Sequence, residues 1–502
     1  MASRALRRRP SWSVTASGIP TLLAGALAAL LASSLGSPSP VRAGLPPEDR
    51  CPTLTGAPGG GPARDAAPLG VREGMLLGYN DVLRLGTLLP VEVWRNRNAF
   101  FHEGMRMEIG PCHRRYPVPE FYARATARHA GTARLDREGN LTSHVAGLPF
   151  PPQTIDPRAR GAGARWAWNL ERRYRGAGPS GRFRIVDMPS RMGGVQTYEG
   201  RWDFVQAARR ADLAGSGYAL PVGEGTEWIS GGRFEEPANA RHLAWRQLRP
   251  LESALRYSLP DDTFVYVPTM RKVRRSGSTW VDGIYVPRYR AAGDSGGGGL
   301  AVGGELGGGG INPAAAESIA STESLRRGFE GYAFRPNAYT WRVLAEREVL
   351  APLNVTHTGY PEDRQRNFGP SGLSAGNDRW DVRWAVVIQG LAKERGRDFD
   401  LLTVWVDYQT QQPLYVMTRR QRGSRLVEVG VLLHRFSGDL AGYPRWPTGE
   451  EALVFDPVGA VFFDVADGGS GWRREAYDLT SVPRSETELR RLTSPGFLTR
   501  GR

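Results

Sequence analysis

The feature that most constrains this fold is a run of short, apolar, β-branched segments from Trp384 to Phe436, each parted from the next by turn residues. Trp384 to Leu391 and Leu401 to Asp407 read as strands, and Gln409-Thr410-Gln411-Gln412 is a turn. Pro413 to Arg420 runs back, Arg422-Gly423-Ser424 turns again, and Arg425 to Phe436 is the longest strand. Turns this short join antiparallel neighbours, so the pattern predicts a meander of hairpins. These strands are apolar on both sides. Trp384, Val386 and Ile388 share one face, with Ala385 and Val387 on the other; Thr403 and Trp405 face opposite to Leu402, Val404 and Val406. A sheet with two greasy faces needs two apolar layers. Either both are core, or one is completed by a lid or a bound hydrophobic ligand.

The same logic applies to Asp261–Arg275. Thr263 to Val267 is β-branched and aromatic throughout, with Phe264 and Tyr266 on one face and Val265 and Val267 on the other. Pro268 ends the strand, because proline has no N–H for the ladder. Arg271, Lys272, Arg274 and Arg275 follow at once. An apolar strand delivered into four cations suits the wall and mouth of a pocket for something greasy with an anionic end. It equally suits a core strand followed by a solvated basic loop.

Elsewhere the chain punctuates itself. Gly44 to Gly70 is rich in Pro, Gly and Ala and reads as irregular. Gly74 to Met105 carries helical spacing, broken by Pro90, and predicts two short helices over one end of a sheet. From Phe121 the expectation is short strands, with a hairpin tip at Asp136–Asn140, a helix over Gly163–Tyr174, and further strands at Phe183–Asp187 and Leu243–Tyr257. Ala291 to Ala315 is glycine-rich and cannot build a packed core, which makes it a surface loop. If strands on both sides of it share one sheet, it is an insertion. Ser485-x-x-Glu488 is a capping box for a last helix from Glu486 to Leu492.

The N-terminus carries an address. Arg4, Arg7, Arg8 and Arg9 precede an Ala/Leu-rich stretch from Leu22 to Leu35, then Val41-Arg42-Ala43, a small-x-Ala cleavage site. This is the pattern of a signal peptide over residues 1–43, predicting export to the periplasm. The net charge is +15; removing five arginines and no acid leaves the remainder near +10, almost all of it arginine, since Lys272 and Lys393 are the only lysines. No nucleic-acid motif accompanies the charge. The two cysteines, Cys51 and Cys112, predict a disulfide in an oxidising compartment.

Candidate chemistry is sparse. Gly293-Asp294-Ser295-Gly296-Gly297 fits G-x-S-x-G, but it sits in a glycine tract without a preceding strand, so no catalytic residue is assigned. The seven histidines show no paired metal-ligand spacing, no phosphate loop is present, and no cofactor or metal is implied.

Several segments resemble, in order, the exported family called domain of unknown function 1329: GNLTSHVAGLPFPPQ, ARWAWNLERRY, DDTFVYVPTMRKVRR, YTWRVLAEREVLAPLN, NDRWDVRWAVVIQG and LTSPGFLTRGR. DDTFVYVP and the VWVDYQTQQPLYVMTRRQ meander also resemble the LolA/LolB-like lipoprotein-carrier superfamily. The resemblance implies an α+β, mainly antiparallel fold: a curved half-barrel sheet with helices covering its concave face, in a single domain over 71–502 with a loop insertion at 291–315. It implies a carrier or chaperone for a lipid, lipoprotein or other hydrophobic ligand, without covalent chemistry. The cavity wall expected on this basis is Phe264, Tyr266, Trp341, Trp384, Val386, Ile388 and Trp405, with Arg271, Lys272, Arg274 and Arg275 at the rim. Expected partners are a hydrophobic small molecule or lipid and a membrane transporter or outer-membrane acceptor, with no nucleic acid, the protein itself being a monomer. A hydrolase acting on a hydrophobic ester, or an envelope protein with a solid core, are the competing readings.

Overall fold

The hairpin meander lies at the centre of one large open sheet. The structure, a computed structural model, describes residues 51, 70–188, 194–238, 240–268, 271–275, 283–289, 320–326, 328–357, 368–394, 399–420, 423, 425–466, 471–481 and 483–499. The expected signal peptide, the Pro/Gly-rich segment up to residue 69, the glycine-rich insertion and the Ser295 motif lie outside the described residues.

The strands, in chain order, are β1 (Leu76–Leu77), β2 (Met107–Cys112), β3 (Arg134–Leu135), β4 (Leu141–Thr142), β5 (Ser180–Met188), β6 (Gln196–Gln206), β7 (Thr226–Glu236), β8 (Ala244–Pro250), β9 (Asp262–Val267) and β10 (Lys272–Arg275). There follow β11 (Pro287–Tyr289), β12 (Ala320–Ser324), β13 (Tyr339–Ala351), β14 (Arg379–Ala392), β15 (Leu401–Asp407), β16 (Pro413–Arg420), β17 (Arg425–Phe436), β18 (Phe455–Asp464) and β19 (Gly471–Thr480). Fifteen of them form one sheet in the order β1-β2-β14-β15-β16-β17-β18-β19-β5-β6-β7-β8-β9-β10, with β13 also paired to β14. All its pairings are antiparallel except β2 with β14. The seam is β19 against β5, running from Trp472 opposite Met188 to Thr480 opposite Ser180. Strands from before and after the glycine-rich tract therefore share one ladder.

Each face of this sheet is covered by different parts of the chain. On one face Val386, Ile388, Leu402, Val404, Leu432 and Phe462 pack against helix α4 (Ala162–Arg172) and the Phe329–Tyr339 stretch. Helix and strand approach closely because position 163 is glycine: a Cβ there would lie 2.7 Å from the Arg342 backbone nitrogen. This layer continues past the seam, where Phe183, Trp202, Phe234, Trp245, Val265 and Val267 bury themselves under Ile284–Val286 and Tyr332. The reverse face is covered at one end by the N-terminal part: a 3₁₀ turn at Tyr79–Leu85 and helices α1 (Val91–Arg95) and α2 (Arg97–Phe100), packed on Val387, Trp405, Met417 and Val431. At the other end it is covered by the C-terminal helix Glu486–Thr493 and the turn Pro495–Thr499. Cys51 and Cys112 form the expected disulfide, Cα to Cα 5.1 Å, tying the N-terminal cover to β2.

Two expectations are corrected. Phe121 does not open a strand region; Glu120–His129 is helix α3, which follows Pro119 and is rich in Ala and Arg, good helix formers. Leu243–Tyr257 is not one strand: β8 stops at Pro250 and Leu251–Ala254 turns as a 3₁₀ helix.

Candidate functional site: a cavity under the C-terminal helix

Strand alternation places Arg201 and Asp203 of β6, Gly231 and Arg233 of β7, Ala244 and Arg246 of β8, and Phe264 and Tyr266 of β9 on one side of the sheet, because each is a cross-strand partner of the next. The C-terminal helix lies over part of this surface. It starts where the sequence placed it: Ser485 Oγ accepts from the Glu488 backbone N–H, and the Glu488 carboxylate accepts from the Ser485 N–H at 2.9 Å. Leu489 and Leu492 dock on Val205, Leu220 and Ile229. After Pro495 the chain turns, and Leu498 seats on Ala244 and Tyr266, with Phe264 and Val273 at the margin. Between these two anchor points the segment stands away from the sheet and leaves a cavity of about 560 Å³, within the size range of small-molecule sites (about 300–1,000 Å³).

The lining has two characters. Leu492, Phe497, Leu498 and Ala244 are apolar, while Arg201, Arg233, Arg246 and Arg491 face Asp203 and Glu235. Arg246 stands out. Its side chain lies flat across Gly231, where a Cβ would come 2.6 Å from Arg246 Nη1, so glycine is what lets the guanidinium cross the sheet at this point. Arg246 is 8% exposed, and its Nε–H has no acceptor. No ion pair neutralises it among the described residues; the Asp203 carboxylate acts on it only through space. Loss of hydration pushes its pKa down to about 10. Arg233 is shifted down for the same reason. A buried guanidinium without a partner is costly, and the natural partner for its planar fork is a carboxylate or phosphate.

The residues expected from the sequence to line one wall fall on three surfaces. Trp341, Val386 and Ile388 are buried in the α4 layer, which their own neighbours fill; Trp384, on the same side, is half-buried at its margin. Trp405 pairs with Val387, so it points to the reverse face and packs under the N-terminal helices. Phe264 and Tyr266 adjoin the cavity through Leu498. Arg271, Lys272, Arg274 and Arg275 are all exposed on and beside the terminal strand β10, which packs beside the Pro495–Thr499 turn. Arg275 pairs with Asp262 across the hairpin. Cations on a terminal strand also discourage edge-to-edge pairing. Sequence reasoning missed Arg201, Arg233, Arg246 and the Leu492–Leu498 cover. Their arginines alternate with buried aromatics along strands, but nothing in the sequence says that three separate strands set them side by side.

With this geometry established, the comparisons place the chain. Residues 97–287 match the family model described as "Protein of unknown function (DUF1329)". The resemblance read from the sequence holds there, over less than half of the chain, and the matched segment contains β5–β10 and with them the sheet side of the cavity. No curated protein matches the chain. Among solved structures, a domain described as outer membrane lipoprotein-sorting from Vibrio parahaemolyticus is 12% identical, covering 67% of this chain and 98% of its own, with a TM-score of 0.36. A DUF1329 family protein from Desulfovibrio piger is 12% identical, covering 66% and 96%, with a TM-score of 0.34. A LolA superfamily protein from Nitrosomonas europaea is 12% identical, covering 64% and 92%, with a TM-score of 0.28. Superpositions this loose transfer no ligand to this chain.

Proposed function

We propose that this protein is an exported carrier or chaperone that holds an anionic amphiphile, a fatty acid or a lipid of similar chemistry, beneath its C-terminal helix without covalent chemistry. The observation that carries this reading is Arg246: a buried guanidinium lacking a partner among the described residues, at the wall of a cavity whose cover is Leu492, Phe497 and Leu498. An acyl chain gains about 0.8 kcal/mol for each methylene it buries, and its head group neutralises the arginine. Arg201, Arg233 and Arg491 stand beside the same cavity, and the basic edge at Lys272–Arg275 flanks it through the Pro495–Thr499 turn. The signal sequence and the Cys51–Cys112 disulfide favour an oxidising, periplasmic setting. We further infer one domain over 71–502, with residues 291–315 inserted between strands of a shared sheet, working as a monomer that passes its cargo to a membrane transporter or outer-membrane acceptor.

The test is native mass spectrometry of protein purified from periplasm, together with titration of a fluorescent fatty-acid probe. Co-purified anionic lipid and saturable probe binding are expected, and Leu498→Asp, which sets a carboxylate under the cover, abolishes both while leaving the circular-dichroism spectrum unchanged. A protein recovered empty that also excludes the probe rules the reading out.

A further inference from the structure

A second site lies farther along the same strands, on the other side of the hydrophobic patch where Leu489 and Leu492 dock. Glu227 and Arg233 of β7 bracket the interval, roughly 20 Å at strand spacing. Here the end of α4 brings in Arg172, Arg173 and Arg175, and the chain leaving β6 brings in Arg209 and Arg210. All five line one partly open void of about 40 Å³.

The carboxylates present do not balance these cations. Glu227 is shared by Arg172 and, at 3.2 Å, by Arg209; Glu171 pairs with Arg175 at 3.2 Å; Asp212 pairs with Arg210 at 2.6 Å. Among the described residues Arg173 has no acid bonded to it: it donates to Gln412 Oε1 at 2.9 Å and to the Leu170 and Gly331 carbonyls, both at 2.6 Å. Among the described residues, five guanidinium groups therefore have three paired carboxylates between them, with Arg172, Arg173 and Arg175 each buried. Arg172 and Arg175 keep buried Nε–H groups with no acceptor. His144 also lines the void. Its Nε2–H donates to the Gly147 carbonyl at 3.0 Å, which leaves Nδ1 as a buried acceptor without a donor.

The void holds about three water-sized positions, at roughly 10–15 Å³ each. Water would satisfy the orphaned N–H groups but would leave the surplus charge. We propose that this void is a site for a protonated phosphate, whose oxyanions accept from the Arg172 and Arg175 Nε–H groups and whose P–O–H donates to His144 Nδ1. Inorganic phosphate and a phosphomonoester head group share that chemistry. Sulfate has the same shape and charge but no proton to give at neutral pH.

The experiment is thermal unfolding of the full protein at neutral pH in phosphate, sulfate and chloride at matched ionic strength, with ³¹P NMR line broadening as a direct readout. Phosphate raises Tm saturably and binds at least tenfold more tightly than sulfate. Arg209→Gln, at the most exposed member of the cluster, weakens phosphate at least tenfold, whereas Arg246→Met leaves the phosphate response intact, which separates this site from the amphiphile cavity. Binding of inorganic phosphate but not of a short-chain phosphatidate assigns free phosphate; binding of both assigns the head group. Equal stabilisation by sulfate or chloride, or an unchanged phosphate response in Arg209→Gln, overturns the proposal.

Discussion

Replacing Arg246 by methionine tests the cavity reading in two opposite directions at once. The guanidinium is desolvated without a hydrogen bond to its Nε–H, and its pKa falls by more than two units, to about 10. That fall corresponds to about 3 kcal/mol acting against the charged form. Methionine keeps much of the stem's volume and removes the charge, and exchanging a poorly compensated buried charge for an apolar group commonly stabilises by about 1–4 kcal/mol. Arg246→Met is therefore expected to raise the free energy of unfolding in denaturant melts by about 1–3 kcal/mol. The same change removes the cation that meets the head group. The wild type should prefer a twelve-carbon fatty acid over the matching alcohol by about 100-fold, since about 3 kcal/mol of recovered penalty corresponds to two decades in affinity. In the variant that preference should collapse to less than about threefold while alcohol binding persists. A variant that is less stable than wild type and still prefers the acid would refute the reasoning, because Arg246 would then be a structural residue with a protein partner.

Two more predictions separate the cavity from the core and test the buried carboxylates. Ile388→Ala, in the filled α4 layer, should cost about 2–5 kcal/mol of stability in denaturant melts and leave amphiphile affinity within twofold; altered acid selectivity would place the ligand on that face instead. Asp456 accepts from Ser481 Oγ and Tyr443 Oη, yet burial pushes its pKa up to about 6. Since the folded state holds this proton more tightly than the unfolded chain, the contribution is full below about pH 4 and is lost as pH rises through 6. Asp456→Asn should consequently gain on wild type by about 3 kcal/mol between pH 4 and pH 7, and a constant difference over that window would show that the carboxyl titrates normally.

Much of the sheet was legible because its signals are local. β15, β16 and β17 begin and end where alternation and turn residues put them, and the capping box at Ser485 starts the last helix. The two apolar faces of Thr263–Val267 are both covered, one by the aromatic layer and the other by Leu498. What was not legible is which partner covers which face. Trp405 and Ile388 look interchangeable in sequence, both large and apolar on neighbouring strands, yet the pairing of Val387 with Trp405 sends them to opposite layers.

The sequence by itself determined the hairpin meander from β14 to β17, the Thr263–Val267 strand, the disulfide and the double apolar character, since each follows from period-two patterning, turn chemistry or residue type within a few positions. Only the tertiary structure decided where space was left. A cavity arises from how far two covering segments fail to meet, and a lone charge is defined by what is absent around it. Arg246 is one arginine among many until β6, β7 and β8 lie side by side, glycine clears its path at 231, and the C-terminal turn closes over it, its described residues offering no carboxylate.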